Sequence, residues 1–413
     1  MSFARYPAYK DSGVAWLGEV PGHWEVKSIK WISPVQRGAS PRPIDDPKYF
    51  DDDGEYAWVR IADVSASDGE LLETTQRLSD LGSSLSVKIE PGELFISIAG
   101  TVGKPCITRM KACIHDGFVY FPKLKLNPQF FFRIFEAGTC YGGLGKFGTQ
   151  LNLNTDTIGS IRIAVPPPDE LANLLAFLDI ETAKIDGLMA EQRALVTLLK
   201  EKRQTVISHA VTKGLNPAAP MKDSGVAWLG DVPGHWEVKA LKHVVSMQSG
   251  EQITSEDIED SGDYKVFGGN GKRGFTNSFT HDGEYALIGR QGALCGNINY
   301  ATGKFWASEH AVVVTPRQSC NVYWLGELLR TMNLGQYSIT AAQPGLSVEA
   351  IGNLRVPMPN FDEQQALAAF LQKQTTQLDT LIQEAQTAIA LLQERRTALI
   401  SAAVTGKMDV RAA

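Results

Sequence analysis

The sequence predicts an α+β chain: two α/β bodies separated by two long helices that form an antiparallel coiled coil, the halves related by a pseudo-two-fold internal repeat. Three observations predict it. Lys10 to Lys27 reads KDSGVAWLGEVPGHWEVK and Lys222 to Lys239 reads KDSGVAWLGDVPGHWEVK, so 17 of 18 positions match. Ile158 to Thr212 aligns without a gap on Ile351 to Thr405. The two offsets differ, 212 residues for the box (222 − 10) and 193 for the tail (351 − 158), so what lies between is 19 residues longer in the first half. Each half is therefore a box, a variable body and a tail.

The box comes first in each half. Trp16, Leu17, Val20, Trp24 and Val26 give it an apolar set that predicts docking on the body, the helix pair or a partner. His23 and His235 are expected to pack against the neighbouring tryptophans rather than to catalyse.

The bodies, Ser28 to Thr157 and Ala240 to Ala350, read as strand and loop. Strand-like runs are Tyr56 to Ile61 and Glu93 to Ile98 in the first, Glu284 to Gly289 and His310 to Val314 in the second. In both, a Gly-Glu start (Gly92-Glu93, Gly283-Glu284) leads through an apolar strand into a glycine turn, which predicts a shared fold. Cations and amides stand beside these glycines. Glycine lets backbone approach a ligand, and Arg, Asn and Gln are able to bond guanine and adenine edges through two atoms. The loop residues able to make such contacts are Arg37, Arg42, Arg60 and Lys104 in body one, and Asn270, Lys272, Arg273, Arg290 and Gln291 in body two.

The tails close each half. From Asp169 to His209 there is no proline and one glycine, Gly187, which permits a helix of about 40 residues and about 60 Å. Leu171, Leu178, Ile185 and Leu199 form one heptad row and Leu174, Leu188 and Leu195 a second; the repeat has Leu371, Leu378, Leu392 and Leu399 with Leu367 and Leu381. Asp169-Glu170 and Asp362-Glu363 place acids at the helix starts, and Lys213-Gly214 and Gly406-Lys407 mark the ends.

Composition excludes several classes. With 43% hydrophobic and 21% charged residues the chain is ordinary for a soluble protein, and a net charge of −6 argues against indiscriminate polyanion binding. No apolar run reaches the roughly 18 residues of a membrane span, and the N-terminus has no signal-peptide core, so a cytoplasmic location without membrane contact is expected. Five cysteines without a C-x-x-C pair predict reduced thiols and no metal site. There is no G-x-x-x-x-G-K-[ST] loop and no H-E-x-x-H. Pro166-Pro167-Pro168 lies between Val165 and Asp169, a helix lead-in rather than an adenine-methylating Asn/Asp-Pro-Pro-Tyr/Phe loop. No catalytic residues are expected.

With its duplicated box, two variable bodies and two heptad tails, the chain resembles the DNA specificity subunit of Type I restriction-modification enzymes. The phrases GEYALIGRQGALCGN and GKFWASEHAVVV and the tail ends AVTKG and AVTGK carry the likeness further, and it spans Tyr9 to about Met408. The resemblance implies target recognition domains at 1–157 (box 10–27) and 214–350 (box 222–239), with spacer helices at 158–213 and 351–413. It implies a non-catalytic subunit that reads a bipartite double-stranded DNA target with a fixed gap. The implied partners are two methyltransferase and two restriction/translocase subunits, which would bind S-adenosylmethionine, ATP and Mg; none of these cofactors is expected on this chain. The alternative is a coiled-coil scaffold or anti-restriction DNA mimic without sequence preference.

Overall fold

Helices form at Pro128–Ala137 (α1), Pro168–Lys213 (α2), Val322–Thr331 (α3) and Phe361–Val404 (α4) in the computed structural model, which describes residues 4–142, 144, 153–292, 294–338 and 345–412. α2 starts on Pro168, whose missing N–H costs nothing at a first turn, followed by Asp169 and Glu170 at the positive end of the dipole. The Asn360 side chain caps α4 by accepting from Glu363 N at 2.9 Å. Both long helices stop at a left-handed glycine, Gly214 (φ +76°) and Gly406 (φ +69°).

The chain divides into two compact units, residues 1–191 with 388–413 and residues 192–387, so that each long helix contributes to both. In the first unit a sheet runs Gln36–Arg37 (β1), Phe118–Tyr120 (β9), Leu94–Ser97 (β6), Pro105–Thr108 (β7), Glu70–Leu71 (β3). A second sheet runs Arg77–Leu78 (β4), Tyr56–Val59 (β2), Ala112–Ile114 (β8), Val87–Ile89 (β5). Phe95, Phe118, Ala57 and Val59 are fully buried in one cluster that joins the two sheets.

In the second unit one sheet runs Val245–Ser249 (β10), Ala311–Pro316 (β15), His281–Gly289 (β13), Ile298–Ala307 (β14), Tyr264–Gly268 (β11), Gly271–Thr276 (β12). The first five strands repeat the order and the senses of the five-stranded sheet of unit 1. In each, three antiparallel pairings are followed by one parallel pairing, β7 with β3 and β14 with β11. The shared fold expected from the Gly-Glu starts is therefore present. β6 and β13 are the equivalent central strands.

In each unit the helix after the sheet, α1 or α3, buries one face: Phe130, Phe131 and Phe135 in the first, Trp324, Leu325 and Leu329 in the second. The chain then returns through Arg162–Val165 or Arg355–Met358 to pair with the strand that closes the box, Glu25–Ser28 or Glu237–Ala240, before entering its long helix. This return ties box and tail together.

The helix seam differs from the expected one by one residue in its second row. Leu171, Leu178, Ile185 and Leu199, and in the repeat Leu371, Leu378, Leu392 and Leu399, are buried or half-buried. Leu188, Leu195 and Leu381 are 47%, 42% and 47% exposed, whereas Thr182, Met189 and Val196 are buried. One residue is a turn of about 100° around a helix, which carries those leucines to the outer surface. Leu174 and Leu367 are fully buried, in the clusters that hold Trp24 and Trp236 respectively. Ala385 is a buried member of the first row, between Leu378 and Leu392.

Candidate nucleic-acid interface

The box seats each body on the helices. In unit 1 the carboxylate of Glu170, in the first turn of α2, accepts hydrogen bonds from the Tyr6 hydroxyl, from Trp24 Nε1 at 3.0 Å, and pairs with His23 Nε2 at 2.7 Å. Burial works to raise the Glu170 pKa, but the Tyr6, His23 and Trp24 bonds together hold it below its ordinary value. The end of α4 completes the seat, because a Cβ on Gly406 would collide with the Pro21 ring. In unit 2 the same parts recur from the other two helix ends: His235 Nε2 lies 3.0 Å from Glu363 Oε2, and a Cβ on Gly214 would come within 3.3 Å of the Trp236 ring. Tyr6 has no counterpart, since position 218 is alanine, and the buried Trp236 Nε1 has no hydrogen-bond partner among the described residues. The histidines are thus bonded to glutamates, a partnership the box alone does not reveal.

In unit 1 the nominated residues stand at the end of the sheets where β1 and β2 finish and β9 begins. Arg37 Nε donates to the Asp116 carbonyl, and Arg42 Nη2 lies 3.0 Å from Asp116 Oδ2, so both exposed arginines converge on one residue. Burial opposes ionisation of Asp116, yet the Ser40 hydroxyl and the Arg42 and Arg37 charges hold its carboxyl below the usual range. Arg60 follows β2 and pairs with Asp63 at 3.2 Å while donating to Thr75. Lys104 differs from expectation: its ammonium donates to the carbonyls of Ser65 and Ser67 at 3.0 and 2.6 Å, bracing a turn rather than standing free for phosphate.

Beside Arg60 a cleft of about 650 Å³ is lined by Ile44, Phe50, Trp58, Gln76 and His115. Neither Gln76 nor His115 lies in a glycine-rich run that would mark it in the sequence. They become neighbours because β2 pairs in parallel with β8 and antiparallel with β4.

In unit 2 the turns Gly268–Gly271 and Gly289–Gly292 meet backbone to backbone, since a Cβ on Gly289 would strike the Gly269 carbonyl. Asn270 Oδ1 accepts from Asn297 Nδ2 at 3.2 Å, and Arg290 Nη1 reaches Ser249 Oγ at 3.1 Å. Gln291 bridges to Gly345. Lys272 and Arg273 are exposed on β12, with the Lys272 ammonium 3.7 Å from the Phe275 ring centre. The rim carries two guanidinium groups, an ammonium and two carboxamides, which are groups able to meet phosphates and base edges. Among the described residues no cluster of His, Cys, Asp and Glu could hold a metal ion, and no helix is long and apolar enough to cross a membrane.

Comparison with known proteins agrees with this architecture. Residues 233–390 match the model of the Type I restriction modification DNA specificity domain. The chain is 28% identical over 347 residues to the Type I restriction enzyme EcoprrI specificity subunit of Escherichia coli, covering 80% of this chain and 83% of that one. It is 22% identical over 349 residues to the MjaVIII specificity subunit of Methanocaldococcus jannaschii, covering 78% and 77%. Among solved structures, a chain from work on complex assembly and conformational transition of the type I R-M system superposes with a TM-score of 0.73 at 15% identity, over 93% of this chain and 98% of that one. The HsdS subunit from Thermoanaerobacter tengcongensis gives 0.50 at 15% identity, over 94% and 98%. Over most of its length the chain is thus similar to the DNA specificity subunits of type I restriction-modification systems, and it shares their fold.

Proposed function

We propose that this chain reads a bipartite DNA target, one half through each body, with a fixed gap set by the paired helices, and that it scaffolds two methyltransferase and two restriction/translocase subunits. The observation that carries the reading is the repeated five-strand sheet, whose strand ends present arginine- and glycine-bearing turns in both units while the turns themselves differ. A constant frame with two unlike rims suits two different half-sites. Arg37, Arg42, Arg60, Asn270, Lys272, Arg273, Arg290 and Gln291 are the proposed DNA contacts, and Lys104 holds the turn behind them. Chemistry would come from the partners: methyl transfer from S-adenosylmethionine and ATP-driven translocation with Mg on their chains, in the cytoplasm. The likeness to a chain solved in a study of type I complex assembly supports the scaffolding part of the reading.

Genome-wide mapping of methylated adenines, in cells with and without this chain beside its partner subunits, tests the proposal. A bipartite motif with one constant gap is expected. Methylation that is unchanged or without sequence preference would favour the scaffold or mimic instead.

A further inference from the structure

We propose that the cleft beside Arg60 is a nucleobase site in which Gln76 and His115 read one adenine of the first half-site. The inference rests on the DNA-reading function above and goes beyond it by naming the base and the groups that choose it.

The cleft volume, about 650 Å³, falls in the range of roughly 300–1,000 Å³ usual for small-molecule sites. Ile44, Pro47, Phe50 and Trp58 supply apolar wall; Arg60, Gln76 and His115 open into it from the ends of neighbouring strands, and the Asp45 carboxylate stands at its edge. Val59 and Ile114 are paired across β2 and β8, so the next residues, Arg60 and His115, leave the sheet side by side. On the other flank Trp58 N donates to the Gln76 carbonyl at 2.9 Å, which fixes the Gln76 backbone beside them.

These groups differ in what they have left to offer. Arg60 is engaged by Asp63 and Thr75. The Gln76 carboxamide has no hydrogen-bond partner among the described residues, so its donor and acceptor are both free. His115 Nδ1 accepts the Gly117 N–H at 2.8 Å. Burial lowers the His115 pKa, so the ring is neutral near pH 7 and its one proton sits on Nε2. The site therefore holds a carboxamide and a fixed N–H donor.

A carboxamide matches adenine through N6 and N7, giving the pair that most often distinguishes this base. A residue that reads the major groove has to project into it, whereas these groups stand on the walls of a cleft. The adenine must leave the stack to reach them, at a cost of a few kcal/mol, as in proteins that take a base out of the duplex. The His115 Nε2–H then meets an acceptor on the same nucleotide.

The test maps the methylation motif of Gln76→Ala and Gln76→Glu chains assembled with their partner subunits. For Gln76→Ala, discrimination at one adenine of one half-site falls about tenfold or more, the loss of one two-bond contact. Gln76→Glu shifts that position towards cytosine, whose N4 is a donor. In both, the other half-site and the gap stay as in the parent, which shows the chain is folded. 2-Aminopurine placed next to the affected adenine, which stays natural, then brightens on binding of the parent complex as its stacking partner leaves. A motif unchanged in both variants, or no brightening, overturns the proposal. A parent chain without a bipartite motif instead defeats the function proposed above, which separates the two failures.

Discussion

Arg203 Nε on α2 lies 2.9 Å from Asp379 Oδ1 on α4, and the repeat reproduces the pair with the helices exchanged: Arg396 Nε on α4 lies 2.8 Å from Asp186 Oδ1 on α2. Both partners shift by the tail offset of 193 residues (396 − 203 and 379 − 186). Each unit thus pairs its two helix segments antiparallel through the same contact.

The two pairs are predicted to differ in strength. Arg396 also donates to Glu136 Oε1 at 2.8 Å, with side chains 16% and 18% exposed, so it joins the body to both helices. Arg396→Ala removes both charged hydrogen bonds, while Glu136 keeps Arg133 at 2.9 Å, and should cost about 1.5–3 kcal/mol. Arg203→Ala removes the pair with Asp379, which is 54% exposed, and should cost less than about 1 kcal/mol. Urea unfolding of the two variants measures the difference.

The tryptophans of the two boxes should respond unequally to the same substitution. Trp24→Phe removes a hydrogen bond to the Glu170 carboxylate, worth about 1.5–3 kcal/mol, besides the packing loss. Trp236→Phe removes an N–H that has no partner, leaving only the packing loss. Thermal melts should therefore place the Trp24 variant below the Trp236 variant.

Acid should act on the first box through Glu170. Its pKa is held below the ordinary value near 4.5, so its contribution to stability is present above that pH and disappears as pH falls through the lowered value. Glu170→Gln should cost about 1–3 kcal/mol at pH 7, and the gap from the parent should close below pH 4 in an acid titration followed by circular dichroism.

The seam register gives a further comparison. Met189→Ala empties a buried position and should cost about 2 kcal/mol or more, whereas Leu188→Gln alters an exposed one and should stay within about 0.5 kcal/mol. The reverse order in chemical denaturation would restore the leucine rows.

Residues 4 and 409 meet: Asp409 N donates to the Ala4 carbonyl at 2.8 Å. The equivalent place in the second unit is the exposed stretch from Leu215 to Ala218 that follows Gly214. A permuted chain opened between Asn216 and Pro217, with the old termini joined by a short linker, should fold with a melting temperature within a few degrees of the parent.

The repeat, the long helices and the family were legible because they rest on identities that survive any fold. Gly214 and Gly406 could be placed as helix ends from the sequence, and both are left-handed. The second seam row was not legible, because counting leucines favoured Leu188 over Met189 and could not weigh Thr182. Arg37 and Arg42 were nominated from glycine-rich context, and both converge on Asp116. Gln76 and His115 were missed because strand pairing brings them together across 39 residues (115 − 76), and no local pattern encodes that pairing. The carbonyl partners of Lys104 were not legible, because a cation beside glycines looks the same whether it faces solvent or two carbonyls.

The most direct test of two independent readers in one frame is the methylation motif of a chain in which residues 28–157 replace residues 240–350. The account predicts the first half-site and its inverted copy, separated by the parent's gap. A second half-site unchanged from the parent, or a different gap, would contradict it.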